Sequence, residues 1–302
     1  MAARFTRANG LTFAYVEAGP PDGPLALCLH GFPDTPATWR HLLPRLAEAG
    51  FHAVAPWARG YPPTGVPDRV RVEPDTLAAD VNALHRALGG GRDAVLIGHD
   101  WGAIAGMRAA AAAPERWRRL VTLAVPPERV LLGAAGDGPQ VVRSRYALAA
   151  LLPGAEHRMA SADAAGFVRL WRRWSPDYVP TEDDLAPLRA VLRSPGAPRA
   201  VLAYYRGFVP AVLSGRALSH RVPLPPQPHL MLHGRDDGCI GVVWAERSIG
   251  RLPHPASRVV ILDGVGHFLH LERPDDVGDL VLDHVVAPGT PPSTATAQPS
   301  TP

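Results

Sequence analysis

The chain has 302 residues, of which 46% are hydrophobic and 20% charged, and both fractions are those of an ordinary globular protein. They exclude disordered, collagen-like and fibrous classes for the chain as a whole. The formal net charge of +3 is too small to indicate a nucleic-acid-binding protein.

Two cysteines, Cys28 and Cys239, occur in unlike sequence contexts and indicate neither a disulfide framework nor a pair of metal ligands. The N-terminal residues lack the apolar segment of a secretory signal, and no apolar run reaches the length of a membrane-spanning helix. We therefore expect a cytoplasmic protein that does not cross a membrane. We expect it to be a monomer or a homodimer.

Short apolar runs alternate with helix-length segments in the first part of the chain. Their order predicts strands and helices in turn at residues 25–30, 36–49, 52–55, 74–88, 94–97, 103–113 and 120–124. This alternation is typical of a parallel sheet whose two faces are covered by helices.

After residue 126 the strand pattern stops for about a hundred residues, and only helical periods occur. We expect this block, residues 127–226, to be inserted between two parts of one core, 1–126 and 227–287. Its helices are predicted at 141–152, 161–174, 181–192 and 197–213. The core resumes with strands at 229–233 and 258–262 and a helix at 275–286. Residues 288–302 are Pro, Thr and Ser without an apolar face and are predicted to be disordered.

A short motif joins the predicted strand 94–97 to the following helix, and it reads Gly98-His99-Asp100-Trp101-Gly102. A sharp strand-to-helix turn needs small residues two before and two after its apex, because larger side chains would collide with the strand and the helix. Asp100 occupies the apex, where related turns carry a nucleophile. An N-capping Asp alone would not require both glycines.

An aspartate at this position favours a particular reaction class. A carboxylate is already ionised at neutral pH and can displace a leaving group at saturated carbon, which forms an alkyl ester on the enzyme. Turnover then requires water to hydrolyse this ester, with a general base and donors for the tetrahedral oxyanion.

The base and its partner are expected after the last two predicted strands. His267 follows the strand 258–262 and would face Asp100, and Asp237 follows the strand 229–233 and would orient the imidazole. Asp236 is the alternative for the second role. We prefer Asp237 because it lies three residues beyond Gly234, which lets the loop turn back over the sheet.

Oxyanion donors are predicted in the loop His30-Gly31-Phe32-Pro33, which follows the first buried strand. The backbone N–H of Phe32, together with that of Trp101, could hold the developing negative charge.

These motifs together resemble the α/β-hydrolase superfamily and, within it, the epoxide hydrolases. The resemblance covers about residues 8 to 287 and includes Gly234-Arg-Asp-Asp237 and Gly266-His267 followed by Glu272-Arg-Pro274. It implies an α/β-hydrolase fold, a mostly parallel sheet with helices on both faces and an inserted α-helical cap. The helical block 127–226 corresponds to that cap.

The resemblance also implies two cap tyrosines that hydrogen-bond the epoxide oxygen. One lies in an aromatic-Tyr-Arg run, which matches Tyr204-Tyr205-Arg206 at Tyr205, and the other matches Tyr146 ahead of Pro153-Gly154. Their chemistry has an independent rationale. Opening an epoxide produces an alkoxide, and a phenol with a pKa near 10 can donate a hydrogen bond or proton to it at neutral pH.

The sequence thus predicts an epoxide hydrolase that forms a vicinal diol from a small apolar epoxide and water. His30, Pro33, Trp171 and Phe208 are predicted substrate contacts. No metal or organic cofactor is expected, because the sequence contains no phosphate-binding loop, no dinucleotide fingerprint and no histidine cluster with ligand spacing.

Two rival functions remain at this stage. A haloalkane or haloacid dehalogenase also uses an aspartate nucleophile. However, haloalkane dehalogenases often place Asn where this chain has Phe32, and fluoroacetate dehalogenases usually place Arg where it has Trp101. The other rival is a ligand-binding protein on a hydrolase scaffold that does not turn over. An esterase is disfavoured because no serine occupies the apex.

Overall fold

An eight-stranded sheet organises the computed structural model, which describes residues 2–67, 72–161, 165–214 and 223–287. The strands are β1 Arg4–Ala8, β2 Leu11–Ala18, β3 Leu25–Leu29, β4 His52–Pro56, β5 Val95–His99, β6 Arg119–Leu123, β7 His229–Gly234 and β8 Arg258–Leu262. Their order in the sheet is β1-β2-β4-β3-β5-β6-β7-β8. Strand β2 is antiparallel to both of its neighbours, β1 and β4, and every other neighbouring pair is parallel.

The antiparallel pair β1 and β2 is absent from the sequence prediction. Most β1 residues are exposed, so the strand has no apolar alternation that could have indicated it. The signal that could have found the pair is Asn9-Gly10 at the turn. Both residues have positive φ, 43° and 75°, and Asn-Gly is favoured in tight hairpin turns for that reason.

Helices cover both faces of the sheet, as predicted. On β3, Leu25, Leu27 and Leu29 belong to one hydrophobic core, and Ala26 and Cys28 belong to a second core on the opposite face. Helices α2 (Pro74–Ala87) and α3 (Trp101–Ala112) pack in the first core, and α1 (Leu42–Glu48) and α13 (Pro274–Val286) pack in the second. Because side chains alternate across a strand, one apolar run supplies both cores.

The predicted helix 36–49 is divided in the structure. A 3₁₀ turn spans Pro36–Trp39, with Thr35 as its N-cap, and α1 begins only at Leu42. Pro44 explains the break, because its ring and missing N–H prevent a continuous helix through the preceding turn.

The segment between β6 and β7 contains only helices among its described residues, in agreement with the predicted helical block. They are α4 Glu128–Leu132, α5 Gly138–Arg143, α6 Arg145–Ala149, α7 Ala155–Ser161, α8 Ala165–Trp174, α9 Glu182–Arg193 and α10 Ala197–Leu213, with a short 3₁₀ turn at Gly133–Gly136. The predicted helix 141–152 is therefore two short helices. The boundaries 127 and 226 remain a prediction, and residues 288–302 lie outside the described residues.

Backbone hydrogen bonds attach this helical insertion to the core. The carbonyl of Trp174 at the end of α8 accepts from the N–H of Gly238 and from that of His267, each at 3.0 Å. The Trp171 indole donates to the carbonyl of Pro33 at 3.1 Å. These contacts lie on loops that follow β3, β7 and β8, so the insertion covers the carboxyl ends of the strands.

Two short helices complete the second part of the core, α11 Val242–Glu246 and α12 Leu269–Glu272. None of the described helices is both long and apolar enough to cross a bilayer.

The turn from β5 to α3 has the strained geometry that the sequence predicts. Asp100 has φ 51° and ψ −120° at the start of α3. A Cβ at Gly98 would overlap the carbonyl of Gly102, and a Cβ at Gly102 would overlap the carbonyl of Leu29. Both overlaps involve backbone atoms, which cannot rotate away, so glycine is required at both positions.

We therefore expect Gly102→Ala to lower the free energy of unfolding by more than about 3 kcal/mol. The matched control is Gly138→Ala in α5, where an added Cβ meets no atom within 4 Å and the change should stay within about 0.5 kcal/mol. Urea unfolding followed by circular dichroism measures both. Equal stabilities of the two variants would contradict the steric explanation.

Candidate active site

Three side chains predicted for catalysis meet at the carboxyl ends of β5, β7 and β8. The His267 Nδ1 lies 2.9 Å from Asp237 Oδ2, and its Nε2 lies 3.7 Å from Asp100 Oδ2. The first distance is a hydrogen bond, whereas the second is a charge contact without direct hydrogen bonding. All three side chains are almost fully buried.

The loop after β7 decides which aspartate meets His267. Asp237 is buried, and its Oδ1 accepts from the backbone N–H groups of Cys239 at 2.7 Å and Ile240 at 2.9 Å. Asp236 is exposed to solvent. The structure thus brings Asp237 to the imidazole and leaves Asp236 outside the site.

The His267 backbone is fixed on both sides. Its N–H donates to the carbonyl of Trp174 at 3.0 Å, and its own carbonyl lies 3.1 Å from the His99 Nε2. The Trp174 ring packs edge-on against the imidazole, with centroids 5.0 Å apart. The orientation of His267 is therefore set by both the core and the helical insertion.

Electrostatics couple the three groups. Burial alone would lower the pKa of His267, but the negative charges of Asp237 and Asp100 raise it to about 10. Burial alone would raise the pKa of both carboxyls, but the interaction with His267 lowers the pKa of Asp100 and of Asp237 below the ordinary value. At neutral pH the site therefore holds one imidazolium between two carboxylates.

The loop after β3 approaches the other side of Asp100. The N–H of Phe32 donates to Asp100 Oδ1 at 2.8 Å. A Cβ at Gly31 would overlap the Asp100 side chain, so glycine permits this approach. Trp101 begins α3, and its N–H is one of the groups in a first helical turn that have no partner within the helix. Both predicted oxyanion donors are thus adjacent to the carboxylate in space or in the chain.

A cavity of about 550 Å³ opens in front of Asp100. Its wall includes Asp100, Trp101, Tyr146, Tyr205 and Phe208, and most of the other lining residues are apolar. A second cavity of about 230 Å³ also touches Tyr146 and Tyr205, on the side of Phe32. The two tyrosines therefore stand between the two cavities.

The tyrosine hydroxyls have few partners in the protein. The Tyr146 hydroxyl lies 3.5 Å from the Cys239 Sγ. Among the described residues, the buried Tyr205 hydroxyl has no well-aligned hydrogen bond, and the Trp101 side chain is its nearby donor. Burial, with a further contribution from the negative charge of Asp100, raises the pKa of both phenols well above the ordinary value. Both groups are consequently proton donors at neutral pH.

Three of the four predicted substrate contacts are placed away from these cavities. His30 accepts from the Ala58 N–H at 3.0 Å through Nε2, and its Nδ1 lies 2.9 Å from the Gly31 carbonyl. The Trp171 ring stacks on Phe268 at 3.8 Å, and its indole bonds the Pro33 carbonyl. His30 therefore stabilises its own loop, and Trp171 packs in the core and holds the loop at Pro33. Phe208 alone of the four lines the cavity of about 550 Å³.

Cys239 is a site residue that the sequence analysis misses. Its buried thiol lines the cavity, and its sulfur lies with a carboxylate oxygen of Asp100 and a ring nitrogen of His267 in a group whose donor atoms are within 4.8 Å of one another. The only signal was its position two residues after Asp237. A lone cysteine at that distance carries no information until the loop is folded.

The sequence profile of the alpha/beta hydrolase fold matches residues 24–274. The chain belongs to the α/β-hydrolase family. It is 29% identical to epoxide hydrolase A of Mycobacterium tuberculosis over 93% of this chain and 96% of the relative. It is 30% identical to human epoxide hydrolase 4 over 90% of this chain and 75% of the relative.

Solved structures of epoxide hydrolases have the same fold as this α/β-hydrolase. Epoxide hydrolase A from Mycobacterium thermoresistibile superposes with a TM-score of 0.75 at 26% identity, over 95% of this chain and 98% of the other. An epoxide hydrolase from Vigna radiata gives 0.74 at 25% identity, over 94% and 98%. The resemblance to epoxide hydrolases that the sequence motifs indicated is thereby confirmed.

The position of Asp237 generates a test that needs no substrate. Asp237→Asn removes the negative charge on Nδ1, so we expect the pKa of His267 to fall by at least about one unit. Asp236→Asn is the matched control and should leave this pKa unchanged, because that side chain is in solvent. Titration of isotope-labelled histidine by NMR measures both. Equal shifts in the two variants would show that the pairing with Asp237 is wrong.

Proposed function

We propose that this hydrolase opens an epoxide to a vicinal diol through a covalent ester on Asp100. The observation that carries the proposal is the shared cavity, because the carboxylate of Asp100 and the phenols of Tyr146 and Tyr205 line one mostly apolar space. The carboxylate is suited to attack saturated carbon, and the phenols are suited to receive a developing alkoxide.

In the first step, Asp100 attacks one oxirane carbon and the C–O bond to that carbon breaks. Oδ1 accepts from the Phe32 N–H, which leaves Oδ2 as the attacking oxygen. The epoxide oxygen becomes an alkoxide and takes a proton from the tyrosine pair, which is replenished from solvent. The product of this step is a hydroxyalkyl ester.

Ester formation changes the charge around His267. The resting imidazolium is stabilised by two carboxylates, and alkylation of Asp100 removes one of the two negative charges. The pKa of His267 then falls, and the proton that it loses balances the proton that the alkoxide gains. The neutral imidazole, still oriented by Asp237, becomes the general base of the second step.

In the second step, His267 takes a proton from water while the water oxygen attacks the Asp100 carbonyl carbon. The negative charge on Oδ1 is held by the N–H groups of Phe32 and Trp101. Collapse of this intermediate breaks the ester bond. His267 returns its proton to the leaving alkoxide, which gives the diol. The carboxylic acid left on Asp100 then passes the second proton of the water to His267, which restores the carboxylate and the imidazolium.

We infer that the substrate is a small apolar epoxide, since the lining of the cavity is mostly apolar. We also infer that residues 127–226 act as the cap of the site, because α6 and α10 of the insertion carry Tyr146 and Tyr205. No cofactor enters the proposed reaction. The relatives named epoxide hydrolases support this assignment.

Replacing His267 should trap the intermediate. In His267→Gln, ester formation remains possible but its hydrolysis loses the base, so we expect an adduct on Asp100 with the mass of the epoxide, stable for at least about a hundred wild-type turnovers. Intact-mass spectrometry after mixing with aryl and alkyl epoxides detects it. His41→Gln, a change at an exposed histidine, should accumulate no adduct.

A single turnover of previously unused wild-type enzyme in ¹⁸O water tests whether the ester on Asp100 forms at all. The covalent route puts unlabelled oxygen from Asp100 into the first diol and ¹⁸O into the protein. Label that appears directly in the first diol would exclude the ester. Tight binding with neither diol nor adduct would instead indicate a ligand-binding protein.

The tyrosines separate epoxide opening from dehalogenation. Tyr146→Phe and Tyr205→Phe should each lower the rate of ester formation from an epoxide by roughly 10² to 10⁴-fold, because the alkoxide loses a proton donor. Tyr204→Phe is the matched control, since its hydroxyl donates to the Arg59 carbonyl and not into the cavity. Stopped-flow fluorescence of the buried tryptophans follows the step.

A halide needs no proton as it leaves. If chloro- or bromoalkanes release halide while every epoxide is inert, or if the two tyrosine variants open epoxides as fast as the wild type, the assignment as an epoxide hydrolase fails and the dehalogenase takes its place.

A further inference from the structure

A second cluster of polar side chains lies in the core behind the catalytic groups. It consists of Asp34, His99 and His270, which are all at least 97% buried. One carboxylate oxygen and one ring nitrogen from each histidine lie within 4.8 Å of one another. The three residues are far apart in the sequence, which explains why no metal-ligand spacing was visible there.

Each residue of this cluster also has a buried polar atom without a hydrogen-bond partner. Asp34 Oδ2, His99 Nδ1 and His270 Nδ1 are each buried without a hydrogen-bond partner among the described residues. Buried polar atoms are nearly always paired in folded proteins. Three residues that meet in one place and each retain such an atom therefore indicate a shared ligand.

The outer atoms of the same side chains are engaged. His99 Nε2 lies 3.1 Å from the His267 carbonyl, which only an N–H can approach as a donor. In a neutral ring whose Nε2 carries the proton, Nδ1 keeps a free lone pair. His270 Nε2 is bonded to the Thr38 hydroxyl, and Asp34 Oδ1 accepts from the Thr35 N–H at 2.7 Å.

We propose that Asp34, His99 and His270 bind a divalent transition-metal ion of the zinc type. Two imidazole nitrogens and one carboxylate oxygen are ligands that Zn²⁺ accepts. The bonds from the outer atoms to a carbonyl and a hydroxyl are the contacts that orient histidine ligands in metal sites.

The size of the cluster permits such an ion. Atoms within 4.8 Å of one another surround a point that is at most about 2.8 Å from each, and metal bonds of about 2.0–2.2 Å require shifts of less than about an ångström. A divalent cation would also place positive charge next to the buried Asp34 carboxylate.

The position of the cluster gives the ion a role in the site. Asp34 is two residues from Phe32, His99 directly precedes Asp100, and His270 is three residues from His267. A bound ion would join the three segments that carry the oxyanion donor, the nucleophile and the base. It is enclosed by protein and does not line the cavity of about 550 Å³, so we assign it a positioning role.

The test measures metal in the untagged, full-length chain, purified without chelators from zinc-supplemented cells. We expect about one zinc per chain by mass spectrometry. Cobalt reconstitution of the stripped protein should give the visible d–d bands of a nitrogen and oxygen site. Zinc should also raise the Tm of the stripped protein, and Mg²⁺ should not. These measurements use no substrate and are therefore independent of the epoxide chemistry.

Variants separate this cluster from the one around Cys239. His270→Gln and Asp34→Asn should each weaken zinc binding by at least about tenfold, whereas Cys239→Ser and His41→Gln should retain it. A thiolate-to-cobalt charge-transfer band, or loss of metal in Cys239→Ser, would place the ion in the catalytic cluster and overturn the proposal. Wild-type protein that retains no zinc and gains no Tm from it would also overturn it, in favour of a buried water. If the variants do not fold, the wild-type cobalt spectrum decides between these outcomes.

Discussion

The two carboxylates that flank the His267 imidazole are the interaction on which the rest of the site depends. Asp237 is bonded to Nδ1, and Asp100 lies beside Nε2. Buried charges are unfavourable unless they are paired and hydrogen-bonded, and here one positive and two negative charges share a water-poor space. The remaining negative charge is met by backbone N–H groups, from Cys239 and Ile240 on one carboxylate and from Phe32 on the other. Removing one charge therefore changes the proton affinity of its neighbours, which is what the proposed two-step reaction with one imidazole requires.

The sheet brings these groups together because parallel strands end at one edge. The loops after β3, β5, β7 and β8 all emerge there, and Gly31 and Gly102 allow backbone and side chains to approach more closely than any larger residue would permit. The helical insertion then closes the edge. The carbonyl of Trp174 accepts from the N–H groups of both Gly238 and His267, so the helical insertion also fixes the position of His267.

Motifs with a steric or local cause could be predicted well. The glycines around Asp100 predicted the sharp turn, the alternation of apolar runs predicted β3 to β8, and the absence of strand signals predicted the helical insertion. Features without a local cause could not be predicted from the sequence. The exposed strand β1 has no apolar pattern, and Pro44 divides a helix that periodicity alone presents as continuous. Trp171 was predicted to contact substrate, but an aromatic residue at helical spacing packs in a core as readily as in a pocket, and here it stacks on Phe268.

The sequence by itself determined the fold, the apex aspartate and the order in which aspartate, acid and histidine occur, because these follow from residues adjacent in the chain and from the direction of parallel strands. Only the tertiary structure decided that Asp237 rather than Asp236 meets His267, that Cys239 enters the cavity, and that Asp34, His99 and His270 converge. Whether these side chains meet depends on the path of loops that follow different strands. A shift of one residue along such a loop would bury a side chain that is now exposed and expose one that is now buried. Chain neighbours do not encode that shift, since it is fixed by contacts with distant parts of the chain, such as those of the Asp237 loop with Gln140, Arg143 and Trp174.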